Sequence, residues 1–462
     1  MEIMQMPFVG RQSELSILEN EYQKNSSLVV IAGRKGMGKT RLIREFIKDK
    51  NAMYFTATPV NERMLLRSFN DSVNAFHRQN APVDSWTGAM ERFAGHTDNK
   101  KILIMDGFQD TSSLGKGFLE MLRDAWDSVL SKRNVMLIIS SSVISFVSDF
   151  SKDPDNPMYG TVSREMILGP LPFEETVGDR EYPEAMRMYS IHGGIPYCMS
   201  VIGTDSSEAD AINKCLDPDS PLFDFTLRTM EGEVKGPSVY LSIMKAIAEG
   251  CTRITQISES VGMPPTTLNA YLKRLSDNGA IERSVPATEY LPERSKSGTY
   301  SISDAHTLFW LRFVLPHMSD LSVGNVNAAR TALDAGFRDH VDSVFSGICR
   351  GMIQSLTAEI GFLPVLFGRY WNRETDIDVI ALNPAKRKAL VAGCMFLKDR
   401  KVSRDDLNEL LHRAEKVPEL RGYIVKLGMF SVSGFEDNLL AERNLLLVNE
   451  GTAINHQFQI PE

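Results

Sequence analysis

The sequence predicts an α/β fold for the N-terminal part of the chain, and two observations carry this prediction. Three apolar runs, at residues 28–32, 101–106 and 134–142, are typical of parallel strands that are buried on both faces. After the first run, the glycine-rich segment 33–38 leads into residues 41–47, whose apolar side chains recur at helical spacing. A strand, a loop and a helix in this order place the N-terminus of the helix directly beside the loop.

The loop matches the pattern GxxxxGK(S/T), which is typical of phosphate binding. Its glycines allow backbone N–H groups to close around phosphate oxygens, while Lys39 supplies a charge for the β and γ phosphates and Thr40 offers its hydroxyl to Mg²⁺. We therefore predict that the chain binds a purine nucleoside triphosphate, ATP or GTP, together with Mg²⁺. The predicted nucleotide contacts in the loop are Gly33, Gly36, Met37, Gly38, Lys39 and Thr40.

Two later strands end in polar residues that would lie near the phosphates. Asp106 ends the second apolar run, where a P-loop fold needs a carboxylate to hold Mg²⁺, so we assign it a metal-binding and catalytic role with Thr40 as its partner. Ser141 lies at the end of the third run, where it could contact the γ-phosphate, although a serine in that position is also typical of a turn.

The composition bounds the class of protein. A length of 462 residues suggests about three domains, and 43% hydrophobic with 24% charged residues is typical of a globular chain. A formal charge of −8 argues against wholesale coating of nucleic acid but is compatible with a local basic face. The five scattered cysteines predict neither a disulfide framework nor a zinc site. With no apolar stretch of membrane-spanning length and no secretory signal, we expect a cytoplasmic protein without a membrane partner.

Three further segments, one before the first apolar run and two after the third, match motifs of a known family. Residues 8–15 read FVGRQSEL, residues 169–175 read GPLPFEE, and residues 193–196 read GGIP. In this order they resemble the archaeal ATPase family in the STAND branch of AAA+ proteins. The resemblance implies that ATP is the nucleotide, that Gly10 and Arg11 lie near its base, and that Pro196 contacts it from a small helical lid.

The chain departs from the pattern of that family at two positions that matter for hydrolysis. Gly107 stands where the family usually has the glutamate that polarises water, and loss of such a base typically costs about two to four orders of magnitude in rate. Asp110 is the candidate substitute. Thr161 stands where the family generally has arginine, and Arg164 is the nearest replacement. These changes predict ATP binding with slow hydrolysis.

The middle of the chain predicts a winged helix-turn-helix. Residues 239–248, 254–262 and 268–275 have the spacing of three short helices, and residues 264–267 cap the last of them, which is the recognition helix. Residues 280–285 and 298–304 predict the two strands of a wing.

This module would bind double-stranded DNA or serve to pack against protein, and the sequence leaves both readings open. Between residues 264 and 300 there are five basic and four acidic residues, so the net positive charge available for binding DNA phosphates is small. The candidate DNA contacts are Thr266, Thr267, Asn269, Lys273, Arg294 and Lys296. Residues 309–316, by contrast, predict an aromatic stripe that packs in a core.

The C-terminal region resembles the PD-(D/E)xK nuclease-like domain that often ends archaeal ATPases of this kind. Asp378, in an apolar strand that is followed by a hairpin and a second strand, matches the first carboxylate of that motif. The glutamate and lysine positions fall on Gly393 and Met395, so we expect a vestigial nuclease without metal-dependent cleavage. A basic cluster (Lys398, Arg400, Lys401, Arg404) follows and could be a solvated face or a DNA contact.

The whole chain is thus expected to comprise a P-loop core (1–172), a helical lid (173–235), a winged helix-turn-helix (236–318) and a restriction-endonuclease-like α/β domain (319–462). The expected function is an ATP-dependent STAND-type switch coupled to DNA. Two alternatives stay open, an active ATPase remodeller or motor that uses Asp110, and a signalling module that binds a protein partner or itself without touching DNA.

Overall fold

The computed structural model describes residues 7–95, 99–234, 236–397, 399–442 and 444–454, apart from the side chains of residues 112, 113 and 148. Its N-terminal part is a parallel five-stranded sheet with strand order β2-β3-β4-β1-β5. The strands are β1 (Ser27–Ala32), β2 (Ala52–Thr56), β3 (Lys101–Asp106), β4 (Val135–Ser141) and β5 (Arg164–Ile167). The helices are α1 (Gln12–Tyr22), α2 (Lys39–Ile47), α3 (Glu62–His77), α4 (Trp86–Ala94), α5 (Gly115–Ser128) and α6 (Ser145–Ser151).

The predicted apolar runs form the centre of this sheet, which is covered on both faces. Every residue of β1 is buried, and alternate residues enter two different apolar cores: Val29 and Ile31 enter the larger core and Leu28 and Val30 the smaller. This double burial explains why the run is continuously apolar rather than alternating. In α2, Leu42, Ile43 and Phe46 are buried as the helical spacing predicts.

A helical lid and the winged helix-turn-helix follow. The lid helices are α7 (Tyr182–His192), α8 (Pro196–Ile202), α9 (Glu208–Leu216) and α10 (Phe225–Glu233). The next module has α11 (Pro237–Ala248), α12 (Ile254–Val261) and α13 (Pro265–Asp277), and its wing is the antiparallel pair β6 (Ile281–Ser284) and β7 (Thr299–Ile302). It continues into α14 (Ala305–Phe309), a π-helical turn (Trp310–Val314) and α15 (Met318–Leu321).

The aromatic stripe of this region is core, as its spacing predicts. Phe309, Trp310 and Leu311 are fully buried, and the Trp310 indole donates a hydrogen bond to the Phe223 carbonyl at 2.6 Å. His306 lies 2.8 Å from the Ile191 carbonyl, so α14 is fixed against lid helix α7.

The C-terminal domain is a mixed six-stranded sheet with helices on both faces. Its strands are β8 (Leu366–Trp371), β9 (Asp376–Asn383), β10 (Lys388–Met395), β11 (Ile424–Ser431), β12 (Leu445–Asn449) and β13 (Thr452–Ala453), in spatial order β8 to β13. The helices are α16 (Asn327–Gly351), α17 (Thr357–Ile360), α18 (Arg404–Glu415) and α19 (Asp437–Leu440). The larger apolar core runs without a break from β1 through the lid and the winged helix to α16 and β10. Among the described helices, none is long and apolar enough to cross a membrane.

Candidate nucleotide site

The glycine-rich loop joins β1 to α2, and its lysine is folded back into the loop. Lys39 begins α2, directly after Gly38 with a φ of 84°. Its Nζ atom donates to the carbonyl of Gly33 at 2.5 Å and to that of Arg34 at 3.2 Å. Burial lowers the pKa of Lys39 to about 8, while the Asp106 and Glu233 carboxylates act in the opposite direction. The loop therefore holds an ammonium group in poor solvation, which favours binding of an anion.

The two predicted magnesium ligands meet at the carboxyl end of the sheet. The Thr40 hydroxyl donates to Asp106 Oδ2 at 3.1 Å, and the Tyr54 hydroxyl donates to the same oxygen. Asp106 Oδ1 accepts the backbone N–H of Gly107 at 3.0 Å. No cluster of three or more His, Cys, Asp or Glu that could hold a metal occurs among the described residues. One hydroxyl beside one carboxylate fits Mg²⁺, which usually takes one or two protein oxygens and completes its shell with water and phosphate.

Position 107, where the expected glutamate is missing, lies beside Asp110 and beside the Ala57 carbonyl, which is 3.2 Å from a Cβ built there. Gly107 has a φ of 71°, and a Cβ built on it would lie 3.4 Å from Asp110 Oδ2. Asp110 belongs to a 3₁₀ helix (Phe108–Leu114), and burial raises its pKa. Its carboxylate therefore lies beside the place where a side chain of residue 107 would begin.

Two other predicted polar residues have different surroundings. Ser141 is fully buried at the end of β4, where its hydroxyl accepts the Val143 N–H at 3.1 Å, as in a turn. The suggestion that Arg164 lies near the phosphates is wrong. Arg164 pairs with Val29 in the sheet, four residues before the loop, and its guanidinium lies 3.6 Å from Glu21.

The lid is closed directly on the phosphate loop. The backbone N–H of Tyr197 donates to the Gly36 carbonyl at 3.1 Å. A Cβ at Gly36, whose φ is 90°, would lie 2.7 Å from the Phe225 ring, and that ring stacks on Tyr197 with centroids 4.8 Å apart. Pro196, predicted to contact the nucleotide, lies 3.3 Å from a Cβ built on Gly38.

The N-terminal segment also reaches the loop, as its family resemblance implies. Arg11, at a φ of 63°, donates from its guanidinium to the carbonyls of Met37, at 3.4 Å, and Gly169. Its backbone N–H donates to Glu175 at 3.0 Å, and a Cβ at Gly10 would collide with the same carboxylate. Gly10, Arg11, the loop and Pro196 thus converge at one place.

The space for a base at this place is small in the closed arrangement. The gap between Phe8, Leu171, Pro196 and Gly38 encloses about 30 Å³, which is room for about one or two water molecules and not for a purine. A cavity of about 500 Å³ adjoins it, sharing Val9 and Met199.

Sequence reasoning missed a buried charge network at the loop. Arg34 Nε lies 2.9 Å from Glu233 at the end of α10, and its NH1 lies 3.2 Å from Asp304 before α14. Arg34 occupies a variable position of the motif, and its partners are 199 and 270 residues away, so no local pattern links the three. The contact of Tyr54 with Asp106 was also missed, because these two residues are 52 positions apart in the sequence.

The predicted DNA contacts lie on the surface of the winged helix module. All six side chains, on α13 and in the wing, are exposed: Thr266, Thr267, Asn269, Lys273, Arg294 and Lys296. Lys273 is paired with Asp277 at 2.5 Å, which reduces its charge toward a partner. The wing touches the C-terminal domain, where the Trp371 indole donates to the Ser297 carbonyl at 3.2 Å.

In the C-terminal domain the residues of the predicted nuclease motif lie on the neighbouring strands β9 and β10. Asp378 lines a groove of about 410 Å³ beside α16 and accepts the Cys394 N–H at 3.1 Å. A Cβ built on Gly393 would face Met429 and Leu410 on the α18 side of the sheet, whereas Met395 packs partly against that core and also lines the groove. Leu390, Ala392 and Cys394 of β10, together with Phe396 just beyond its end, belong to the core that also contains the buried residues of α16.

A second carboxylate, that of Asp342 on α16, lines the same groove as Asp378. Burial raises the pKa of Asp342 to about 6, with the Asp339 and Asp378 carboxylates acting in the same direction. Within the basic cluster beyond β10, Arg400 and Arg404 are paired with Asp406 and Glu442, and Lys398 lies outside the described residues.

Comparisons with known proteins agree with this architecture. A family model described as winged helix-turn-helix DNA-binding matches residues 241–282, and one described as archaea bacterial proteins of unknown function matches residues 310–409. The chain is 27% identical over 433 residues to the uncharacterized protein MJECL04 of Methanocaldococcus jannaschii, covering 90% of this chain and 93% of that protein. It is 41% identical over 44 residues to the uncharacterized ATP-binding protein MJ0423 of the same organism, covering 9% of this chain and 75% of that protein.

Among solved structures, the Walker-type ATPase paby2304 of Pyrococcus abyssi superimposes with a TM-score of 0.52 at 19% identity, over 68% of this chain and 100% of that one. This likeness concerns the fold alone. The chain therefore combines a P-loop ATPase-like α/β core with a winged helix-turn-helix and a C-terminal α/β domain.

Proposed function

We propose that this protein is an ATP- and Mg²⁺-dependent switch of the STAND type whose winged helix binds double-stranded DNA. The observation that carries the proposal is the convergence of Lys39, Thr40 and Asp106 beneath a lid that touches the loop through Tyr197. Bound Mg²⁺ would neutralise phosphate charge at Thr40 and Asp106. Asp378, which lines the groove of the C-terminal domain, has no role in this proposed nucleotide binding.

The closed lid explains why nucleotide occupancy would change the shape of the molecule. Gly36 is in contact with both Tyr197 and Phe225 of the lid, and the gap beside Gly38 is too small for a base. If the base occupies this gap, as the family resemblance implies, nucleotide binding requires a displaced lid. A ligand then shifts the population by the difference in its affinity for the two arrangements. Slow hydrolysis, expected from Gly107, would prolong that state.

DNA binding by full-length protein, with and without Mg²⁺-ATP, tests the proposal. We expect Mg²⁺-ATP to change the affinity for a mixed-sequence duplex in the wild type and to have no effect in Lys39→Ala. Lys35→Ala is the matched control, because Lys35 is an exposed lysine of the same loop. Equal effects of Mg²⁺-ATP in Lys39→Ala and in the wild type would refute the switch.

A second function, turnover as an ATPase, is favoured by the position of Asp110. Its carboxylate lies 3.4 Å from a Cβ built at residue 107, which makes it the described acid best placed to replace the missing glutamate. Burial raises the pKa of Asp110, which makes its carboxylate a stronger base than a fully solvated one. Steady phosphate release that disappears in Asp110→Ala, but persists in the exposed neighbour variant Asp149→Ala, would establish this function.

A further inference from the structure

Arg34 belongs to the phosphate loop, but its side chain leaves the loop and enters a buried charge network. The guanidinium lies 2.9 Å from Glu233 and 3.2 Å from Asp304, and the three side chains are only 6%, 7% and 2% exposed. Ion pairs on the surface contribute little, whereas removing one partner of a buried pair is strongly unfavourable. The network therefore fixes three elements relative to one another.

The three elements are the parts that a nucleotide-dependent switch would need to connect. Glu233 is the last residue of lid helix α10. Asp304 caps α14 by accepting the Thr307 N–H at 2.7 Å, and it lies two residues after the wing strand β7. Ser303, between β7 and Asp304, donates its backbone N–H to the carbonyl of Ala280 at 3.1 Å, directly before the other wing strand β6.

The network contains two carboxylates and one guanidinium, and the Lys39 ammonium group also interacts with it through Glu233. One guanidinium serves two buried carboxylates, and the Glu233 carboxylate acts on Lys39 as well as on Arg34. Lys39 also donates to the backbone carbonyl of Arg34. A triphosphate in the loop would attract the Lys39 ammonium group away from the Arg34 carbonyl. The favourable interaction between Lys39 and the Glu233 carboxylate would then weaken.

We propose that Arg34, Glu233 and Asp304 form a latch that holds the wing and α14 in the closed arrangement and that nucleotide binding releases. This inference rests on the proposed switch function and names the residues through which occupancy of the loop reaches the winged helix. The latch is a coupling between two sites, so the same residues must set both nucleotide affinity and wing mobility.

The test combines calorimetric titration of the full chain with Mg²⁺-ATP and hydrogen exchange of β6, β7 and α14, with and without nucleotide. The variants are Glu233→Gln and Asp304→Asn, and the second retains the helix cap because asparagine caps as well as aspartate. Glu231→Gln is the matched control, since Glu231 is exposed on the same helix.

In the wild type we expect Mg²⁺-ATP to speed exchange in β7 and α14. In both latch variants exchange should be fast before nucleotide is added, and nucleotide affinity should rise by about 5- to 150-fold, the usual range of coupling between sites. Glu231→Gln should match the wild type. A wild type that binds no nucleotide overturns the switch and the latch together. A wild type that binds, while the latch variants keep its affinity and its exchange change, overturns the latch alone.

Discussion

The most quantitative prediction concerns the substitution Arg34→Met. It keeps a long side chain but leaves the carboxylates of Glu233 and Asp304 without their shared cation, at 7% and 2% exposure. An uncompensated buried charge costs about 3–5 kcal/mol. For comparison, Arg369→Met breaks a pair with Asp376 whose side chains are 48% and 47% exposed, so it should cost about 0–1 kcal/mol.

The cost of Arg34→Met should also depend on pH. Burial raises the pKa of Glu233 even with Arg34 present, although Arg34 itself lowers it, and losing the guanidinium raises it further. A carboxyl group whose pKa is higher in the folded than in the unfolded state destabilises the fold only where it is ionised. The cost is therefore full above the folded pKa and is lost as pH falls toward the unfolded value, so it should be smaller at about pH 5 than at about pH 8.

Urea unfolding followed by circular dichroism at both pH values measures these differences. Adding Glu233→Gln and Asp304→Asn to Arg34→Met should restore part of the lost stability, with a coupling of about 0.5–3 kcal/mol. The reasoning is refuted if Arg34→Met costs no more than Arg369→Met, or if its cost is the same at the two pH values.

Four further outcomes follow from the site. Because the pKa of Lys39 is about 8, nucleotide affinity should fall as pH rises above that value, by up to about tenfold per pH unit, and Lys39→Arg should abolish this fall in calorimetric titrations. Thr40→Val should make nucleotide affinity nearly independent of Mg²⁺, so an unchanged response to EDTA would contradict the assigned ligand. Asp110→Asn should slow any phosphate release by about 10²–10⁴-fold without weakening nucleotide binding. Lys296→Ala should lower the slope of log DNA affinity against log salt by about one, and an unchanged slope would place the wing away from DNA.

The sequence predicted the core and the loop well because their signals are local. The run at residues 28–32 is apolar because both of its faces are buried, and the glycines that follow are required where Gly36 meets Phe225. Thr40 and Asp106 could be paired because they follow strands whose carboxyl ends share one edge of the sheet.

The parts that could not be predicted depend on contacts between distant segments. Arg34, Glu233 and Asp304 carry no pattern, and only the docking of the lid and α14 on the loop brings them together. Arg164 was misplaced because its position depends on the register of β5 against β1. The sequence could not show which side of the sheet Gly393 faces, because a slip of one residue in the register of β10 reverses every side chain.

The central claim is that the loop binds Mg²⁺-ATP and that binding changes the winged helix. The most direct measurement is the affinity of the full chain for a mixed-sequence DNA duplex as Mg²⁺-ATP is titrated. The account predicts a saturable change in DNA affinity that EDTA reverses and that Lys39→Ala abolishes while Lys35→Ala retains it. A DNA affinity that is the same at every nucleotide concentration, in a protein that demonstrably binds ATP, would contradict it.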